Sequence, residues 1–329
     1  MATIGNLNPT LSDVASRLDP KGKVDVIVEL LKQTNPILED MTMVECNDGS
    51  GHMTTVRTGL PSVAWRLLNY GVQPSKSRTA QVKDTCGMLE GYAEVDKKLA
   101  DKNGNTAEFR LSEDRAFIEA MNQKMAETLF YGDTVKNPER FLGLAPRYNA
   151  LSGCDSAANV LSAGGNASLA SIWLCTWSPN TLHGLYPQGS KAGFQHEDKG
   201  QVTLEDENGG KYEGYRSHYS WDLGLTLRDW RYCVRIPNIN TATLTKNAAS
   251  GADLVDLMVQ ALELLPAENM GRTVFYCNRT IRSFLRRQIT NKNNVHLSLE
   301  EIAGKKVVAF DGVPVQKVDA LTNDETAVA

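Results

Sequence analysis

The chain has 329 residues, long enough for one elaborate domain or two ordinary ones, and its apolar (41%) and charged (22%) fractions belong to a globular protein, not a disordered or fibrous one. A formal net charge of −4 removes any overall electrostatic drive toward nucleic acid or anionic lipid, so contact with DNA is expected to be local or weak. No run of eighteen apolar residues occurs, and the first residues lack the charged start and apolar core of a signal peptide, so a cytosolic, membrane-free protein is expected.

In chain order, 11–18 and Val24 to Lys32 have helical spacing, the second through Val24, Ile27, Val28 and Leu31, and Asn35-Pro36 stops it. From Met41 the texture changes to short apolar or alternating runs. Met41 to Cys46, Met53 to Arg57, Val63 to Leu68 and Cys86 to Val95 read as strands, with a turn at 47–51 and a loose polar connector from Gln73 to Lys83. Together they describe a long two-stranded excursion. Such a ribbon is marginally stable alone and needs a partner surface.

Ser112 is the expected N-cap of a helix from Glu113 to Phe130, with Glu113 and Asp114 complementing its dipole. Phe117, Met121, Met125 and Leu129 form its apolar face, widened by Ala116, Ala120 and Ala126. Beyond it, Phe130-Tyr131-Gly132-Asp133 and Asn137 to Leu144 must turn twice and bury Phe141 and Leu142.

Ala167 to Trp177 reads as a buried strand, and 201–205 with 211–216 as a hairpin about Asn208-Gly209-Gly210. Tyr219 to Asn238 reads as strand, Ala252 to Leu265 as an apolar helix, Arg272 to Cys277 as strand and Arg279 to Gln288 as a short helix. The last elements are Lys306 to Phe310 and Val313 to Val318, joined at Asp311-Gly312. Pro314 suggests a free edge on the second of these strands.

The usual chemical signatures are missing. There is no phosphate loop, GxGxxG, HExxH, GxSxG or EF-hand loop. The six cysteines are dispersed without metal spacing and read as reduced, mostly buried thiols. The five histidines are also dispersed. His196-Glu197-Asp198 reads as a solvated loop, and Glu205, Asp206 and Glu207 as exposed residues beside a turn. The glycosylation sequons at Asn166 and Asn278 have no secretory route. Trp173, Trp177, Trp221, Trp230 and Tyr232 lie in strand-like runs and suit core or interface packing better than a ligand cage. Arg279, Arg282 and Arg286 share one helix face while Ile281, Phe284 and Leu285 point inward; an ion-pairing face between subunits is preferred to phosphate contact. No catalytic, cofactor-binding or metal residue is assigned.

The order of arm, β excursion, amphipathic helix, double turn, mixed α/β region and late hairpin resembles the major capsid proteins of tailed double-stranded DNA phages. It resembles in particular those of short-tailed phages such as epsilon15 and the Bordetella phage BPP. The likeness runs from about Val24 and is carried by the Phe130-to-Leu144 segment, by Gly224 to Ile239, and by Phe310 to Leu321. It implies an α+β fold of the Hong Kong 97 type, with a long peripheral helix, an extended β loop and an N-terminal arm.

The organisation it implies is an arm (1–40), an extended β loop with return strands (41–110), a peripheral domain with the long helix (111–150) and an insertion or axial part (151–218). Peripheral strands (219–250) and an axial part with the C-terminal hairpin (251–329) complete it. The implied function is a non-enzymatic subunit, with no cofactor, that self-assembles into the icosahedral shell around a phage genome. Its implied partners are other copies in pentamers and hexamers, portal, scaffold and cement proteins, and packaged DNA held weakly on the inner face, with assembly in the host cytoplasm. Val56, Leu60, Val63, Trp65, Leu67, Arg279, Arg282 and Arg286 are the candidate intersubunit contacts. Residues alone leave an α/β enzyme or a binding module open as alternatives.

Overall fold

The computed structural model describes residues 9–10, 32–49, 51–102, 106–206, 208–244, 252–267, 270–290, 297–302 and 305–329. The segment 11–18 and most of the Val24 to Lys32 helix lie outside them. Five α-helices occur among these residues: α1 (Ile37–Asp40), α2 (Lys97–Ala100), α3 (Thr106–Tyr131), α4 (Leu254–Glu263) and α5 (Arg279–Thr290).

The strands are β1 (Met43–Glu45), β2 (His52–Gly59), β3 (Arg78–Asp84), β4 (Cys86–Asp96), β5 (Leu169–Trp177), β6 (Leu182–Tyr186) and β7 (Gln195–Glu205). They continue as β8 (Lys211–Leu227), β9 (Cys233–Asn240), β10 (Arg272–Cys277), β11 (Leu297–Ile302), β12 (Lys305–Phe310) and β13 (Val313–Lys317). Eleven strands form one mixed sheet whose main path is β11-β12-β13-β10-β5-β6-β8-β4, while β1 joins β6, β7 joins β8 and β9 joins β5. Only β2 and β3 stand apart, as a two-stranded antiparallel ribbon.

Strand β5 is buried along its whole length, as its unbroken apolar run predicts. Trp173, Cys175 and Trp177 face one core with Met125, Leu129, Phe130, Phe141 and Tyr148, so α3 and the turn after it cover that side. Ile172 and Leu174 face the other, against Leu254, Met258, Ile281 and Leu285 of α4 and α5. The period-two alternation of side chains supplies both cores from one strand. Trp221 and Trp230 pack against the first core, and Tyr232 is buried, in keeping with a packing role for these aromatics.

Helix α3 begins at Thr106 rather than Glu113, and Ser112 is not its cap: its hydroxyl donates to the Phe109 carbonyl (2.7 Å), inside the helix. The earlier start follows from Phe109, which is buried against Val95 and Ala100. The expected face is buried at Met121, Met125 and Leu129 and half-buried at Phe117; of the alanine flank only Ala126 is covered. The helix ends in a close backbone crossing. Gly143 N donates to Gly132 O (2.8 Å) and Leu144 N to Leu129 O (2.9 Å). A Cβ on Gly143 would fall 2.6 Å from the Thr128 carbonyl oxygen, so the double turn requires glycine there for space.

Several strand expectations are corrected. Val63 to Leu68 is not a strand, because no neighbouring strand offers it a ladder, whereas the polar connector becomes β3 by pairing Arg78 to Asp84 with β2. His196 to Asp198 belongs to β7, although its side chains are exposed. Tyr219 to Asn238 is interrupted by a 3-10 turn at Trp230–Tyr232. β13 is no edge: it lies between β12 and β10. Pro314 is tolerated because pairing with β10 begins only at Val315. The turn before it has positive φ at Asp311 (46°) and Gly312 (79°), as a two-residue hairpin requires.

Candidate assembly surfaces

Three regions carry side chains whose chemistry the core does not absorb. The first is the β2–β3 ribbon. Val56 lies in β2, half-buried and opposite Ala80. Beyond the ladder, Leu60, Val63, Trp65 and Leu67 lie on an irregular tip, and Trp65 is fully exposed (103%). Leu68, Tyr70 and Val72 extend the same exposed apolar stretch.

The ribbon joins the sheet through a buried polar neck. His52 and Asp84 are the first register pair of the ladder. Arg228 donates to His52 Nε2 (2.9 Å), and Arg147 pairs with Asp84 (2.8 Å) while also donating to the Leu225 carbonyl (3.0 Å). His183, on β6, meets the His52 ring edge-on at 5.7 Å and is fully buried. Burial first, and then Arg228, holds both imidazoles below their ordinary range; His183 is pushed down to about 4. Sequence reasoning misses this cluster because Arg147 and Asp84 are 63 positions apart, and Arg228 and His52 are 176 apart.

The second region is α5. Ile281 and Leu285 are buried, Phe284 is half-buried, and the arginines ring the opposite side. Arg279 is exposed and pairs with Asp319 (3.2 Å); Arg286 is exposed, and Arg282 is half-buried. Asn278 caps the helix, its side-chain oxygen accepting from Ile281 N (2.9 Å).

The third region is the C-terminal tail, which is tied into the body. Glu325 accepts from Arg235 (2.8 Å), Tyr131 (2.7 Å) and Ser171, and Asn238 holds Val328 through both its oxygen (2.9 Å) and its nitrogen (2.8 Å). A cavity of about 520 Å³ with a mixed polar and apolar lining lies between this tail and the end of α3, bordered by Glu127, Tyr131, Asp133, Ala145 and Asp324. A smaller apolar groove of about 170 Å³ separates Met88 and Leu89 from Met125 and Phe141. Among the described residues no group of three or more His, Cys, Asp or Glu side chains is arranged to hold a metal, and no helix is long and apolar enough to cross a membrane. Glu205 and Asp206 are exposed; Glu207 lies outside the described residues.

A family model for major capsid protein GP7 matches residues 19–329. The chain belongs to this family of major capsid proteins. The solved structure of bacteriophage epsilon15 is 42% identical over 100% of this chain and 99% of its own, with a TM-score of 0.76. The capsid of bacteriophage JBD30 is 9% identical, with 89% and 93% covered and a TM-score of 0.47. A comparison with curated protein sequences gives no match. The capsid protein is therefore a shell-forming structural component of a phage virion, with the α+β Hong Kong 97-like fold, and not an enzyme.

Proposed function

We propose that the capsid protein interlocks with neighbouring copies chiefly through its ribbon, with Val56, Leu60, Val63, Trp65 and Leu67 buried by adjacent subunits in pentamers and hexamers. One observation carries this reading. Seven large apolar side chains between Leu60 and Val72 are exposed together, and no described residue of the chain covers them. Contiguous exposed apolar surface marks an interaction site, and a partner would cover the ribbon's open edges as well. Hydrogen exchange of free subunits and of intact particles tests it. Strong new protection over residues 60–72 is expected on assembly, and equal protection in both states would remove the ribbon from the interface. Trp65→Ala should raise the concentration needed for assembly by tenfold or more, on the order of the loss of one interface hot spot.

In this reading 1–40 is an arm reaching other subunits and 41–110 the loop with its return strands. Residues 111–150 and 219–250 are peripheral, and 151–218 and 251–329 contribute the insertion and the axial part. Support for the arm comes from its root: Gln33 N donates to Glu119 on α3 (2.7 Å), and Thr34 N donates to Asp319 (3.0 Å). Portal, scaffold and cement proteins are the further partners, packaged DNA touches the inner face weakly, and assembly takes place in the host cytoplasm.

Arg279, Arg282 and Arg286 are assigned an electrostatic role between subunits. Glutamate at Arg286 should lower particle yield or particle stability, with a deficit that changes across a salt series, because exposed charges are screened within about 10 Å at 0.1 M salt. Reversing Arg279 would in addition break its pair with Asp319. Equal yields of wild-type and variant particles at every salt concentration would count against the assignment.

A further inference from the structure

The ribbon is inserted between two cysteines. Cys46 follows β1 and is held there by its N–H, which donates to the Tyr186 carbonyl (2.9 Å); Cys86 opens β4 opposite Gly224. Although 40 positions apart in sequence, their sulfurs lie 3.5 Å from each other. Cys46 is buried and Cys86 half-buried, so one of the two is within reach of a small reagent. Cys46 is held by its N–H bond to Tyr186 and Cys86 by its place in the β4–β8 ladder, so the thiols need only close from 3.5 Å to a disulfide length of about 2.0 Å.

We propose that Cys46 and Cys86 are a redox modification site, closing to a disulfide by exchange with a low-molecular-weight disulfide once the particle leaves a reducing compartment. Cys86 attacks the reagent as its thiolate, forming a mixed disulfide and releasing one small thiolate. Cys46, as thiolate, then attacks the Cys86 sulfur and expels the second. The two protein thiols are oxidised, the reagent's disulfide is reduced to two thiols, and the two released protons go to those leaving groups. Burial pushes both protein thiols up, so exchange is slow at neutral pH and accelerates with alkalinity. Virion surfaces are among the settings where disulfides persist. The bond would cross-link the two ends of the ribbon at its root, leaving its tip free. Its effect on interlocking rests on the ribbon's proposed role; the bond itself does not.

A second thiol pair in the same chain provides the control. Cys175 and Cys233 are also close, at 3.8 Å on adjacent strands, yet both are completely buried and out of a reagent's reach. Purified particles are exposed to oxidised glutathione, quenched in acid, denatured, alkylated and digested, and the peptides are read by mass spectrometry with and without dithiothreitol. A reducible Cys46–Cys86 peptide is expected in most chains, forming faster as pH rises from about 7 to about 9, while Cys175 and Cys233 stay alkylatable. Full alkylation of Cys46 and Cys86 under conditions that modify exposed Cys154 overturns the proposal. So does glutathione trapped on Cys86 beside a free Cys46. Hydrogen exchange over residues 47–52 then separates the two claims: it should slow on oxidation in the wild type and not in Cys86→Ser. A linked peptide without that slowing upholds the modification site and overturns the stiffening of the ribbon.

Discussion

Replacing Glu325 by alanine is expected to destabilise the subunit by about 3–5 kcal/mol, the cost of leaving a buried charge without its partner. The side chains of Arg235 and Glu325 are 5% and 4% exposed, and the guanidinium lies 5.0 Å from the centre of the Trp173 ring in the middle of the core. Glu325 also fixes the tail through its own N–H, which donates to Leu169 O (2.9 Å), and accepts from Tyr131 and Ser171. Removing it strands a cation, leaves a phenol and a hydroxyl short of their acceptor, and frees the tail to peel away. Denaturant unfolding of wild type, Glu325→Ala and the double variant Arg235→Met with Glu325→Met measures the effect. The double variant should recover much of the loss, since a buried ion pair exchanged for apolar side chains of similar size is often neutral or better. A loss under about 1 kcal/mol for the single variant would show that the tail is not held by this pair.

That network shows where sequence reasoning ends. Local pattern makes β5 legible, because a strand covered on both faces must be apolar at every position, and it locates the apolar face of α3 through four-residue spacing. It misplaces the start of α3 because Ser112-Glu113-Asp114 carries a capping signal, yet Phe109 has a core site that outweighs it. β3 reads as a connector because an exposed ribbon strand has no reason to alternate apolar and polar residues; every position before its last is exposed. Trp65 and its neighbours are legible as an unsupported apolar stretch, and the structure leaves them uncovered. Partners such as Arg235 with Glu325, or His52 with Arg228, are brought together by sheet topology alone. Nothing in their local sequence distinguishes them from surface charges.

The histidines of the ribbon neck set the second large effect, a loss of stability in mild acid. In the folded subunit His183 stays neutral down to about pH 4, held down by burial and then by Arg228 and His52, and His52 is lowered for the first two reasons. In the unfolded chain both titrate near 6.5. Because their folded values are depressed, the unfolded state binds more protons over the intervening range, so stability is complete above about pH 6.5 and falls as pH drops toward 4. For His183 the full loss is on the order of 3 kcal/mol, since each tenfold change in proton affinity is worth about 1.36 kcal/mol. Protonating both rings would place two imidazolium ions beside Arg228, with Asp84, already paired with Arg147, as the neighbouring carboxylate. Because His52 and Asp84 open the β2–β3 ladder, the ribbon root should loosen first. Urea midpoints of the free subunit at about pH 7.5, 5.5 and 4.5 would reveal the slope that linkage requires. Carboxylates contribute to acid sensitivity in every variant, so the decisive quantity is the difference between wild type and His183→Gln or His183→Phe. Either variant should flatten the fall between about pH 6.5 and 4, whatever its stability at neutral pH, and parallel curves would show that the neck does not titrate with folding.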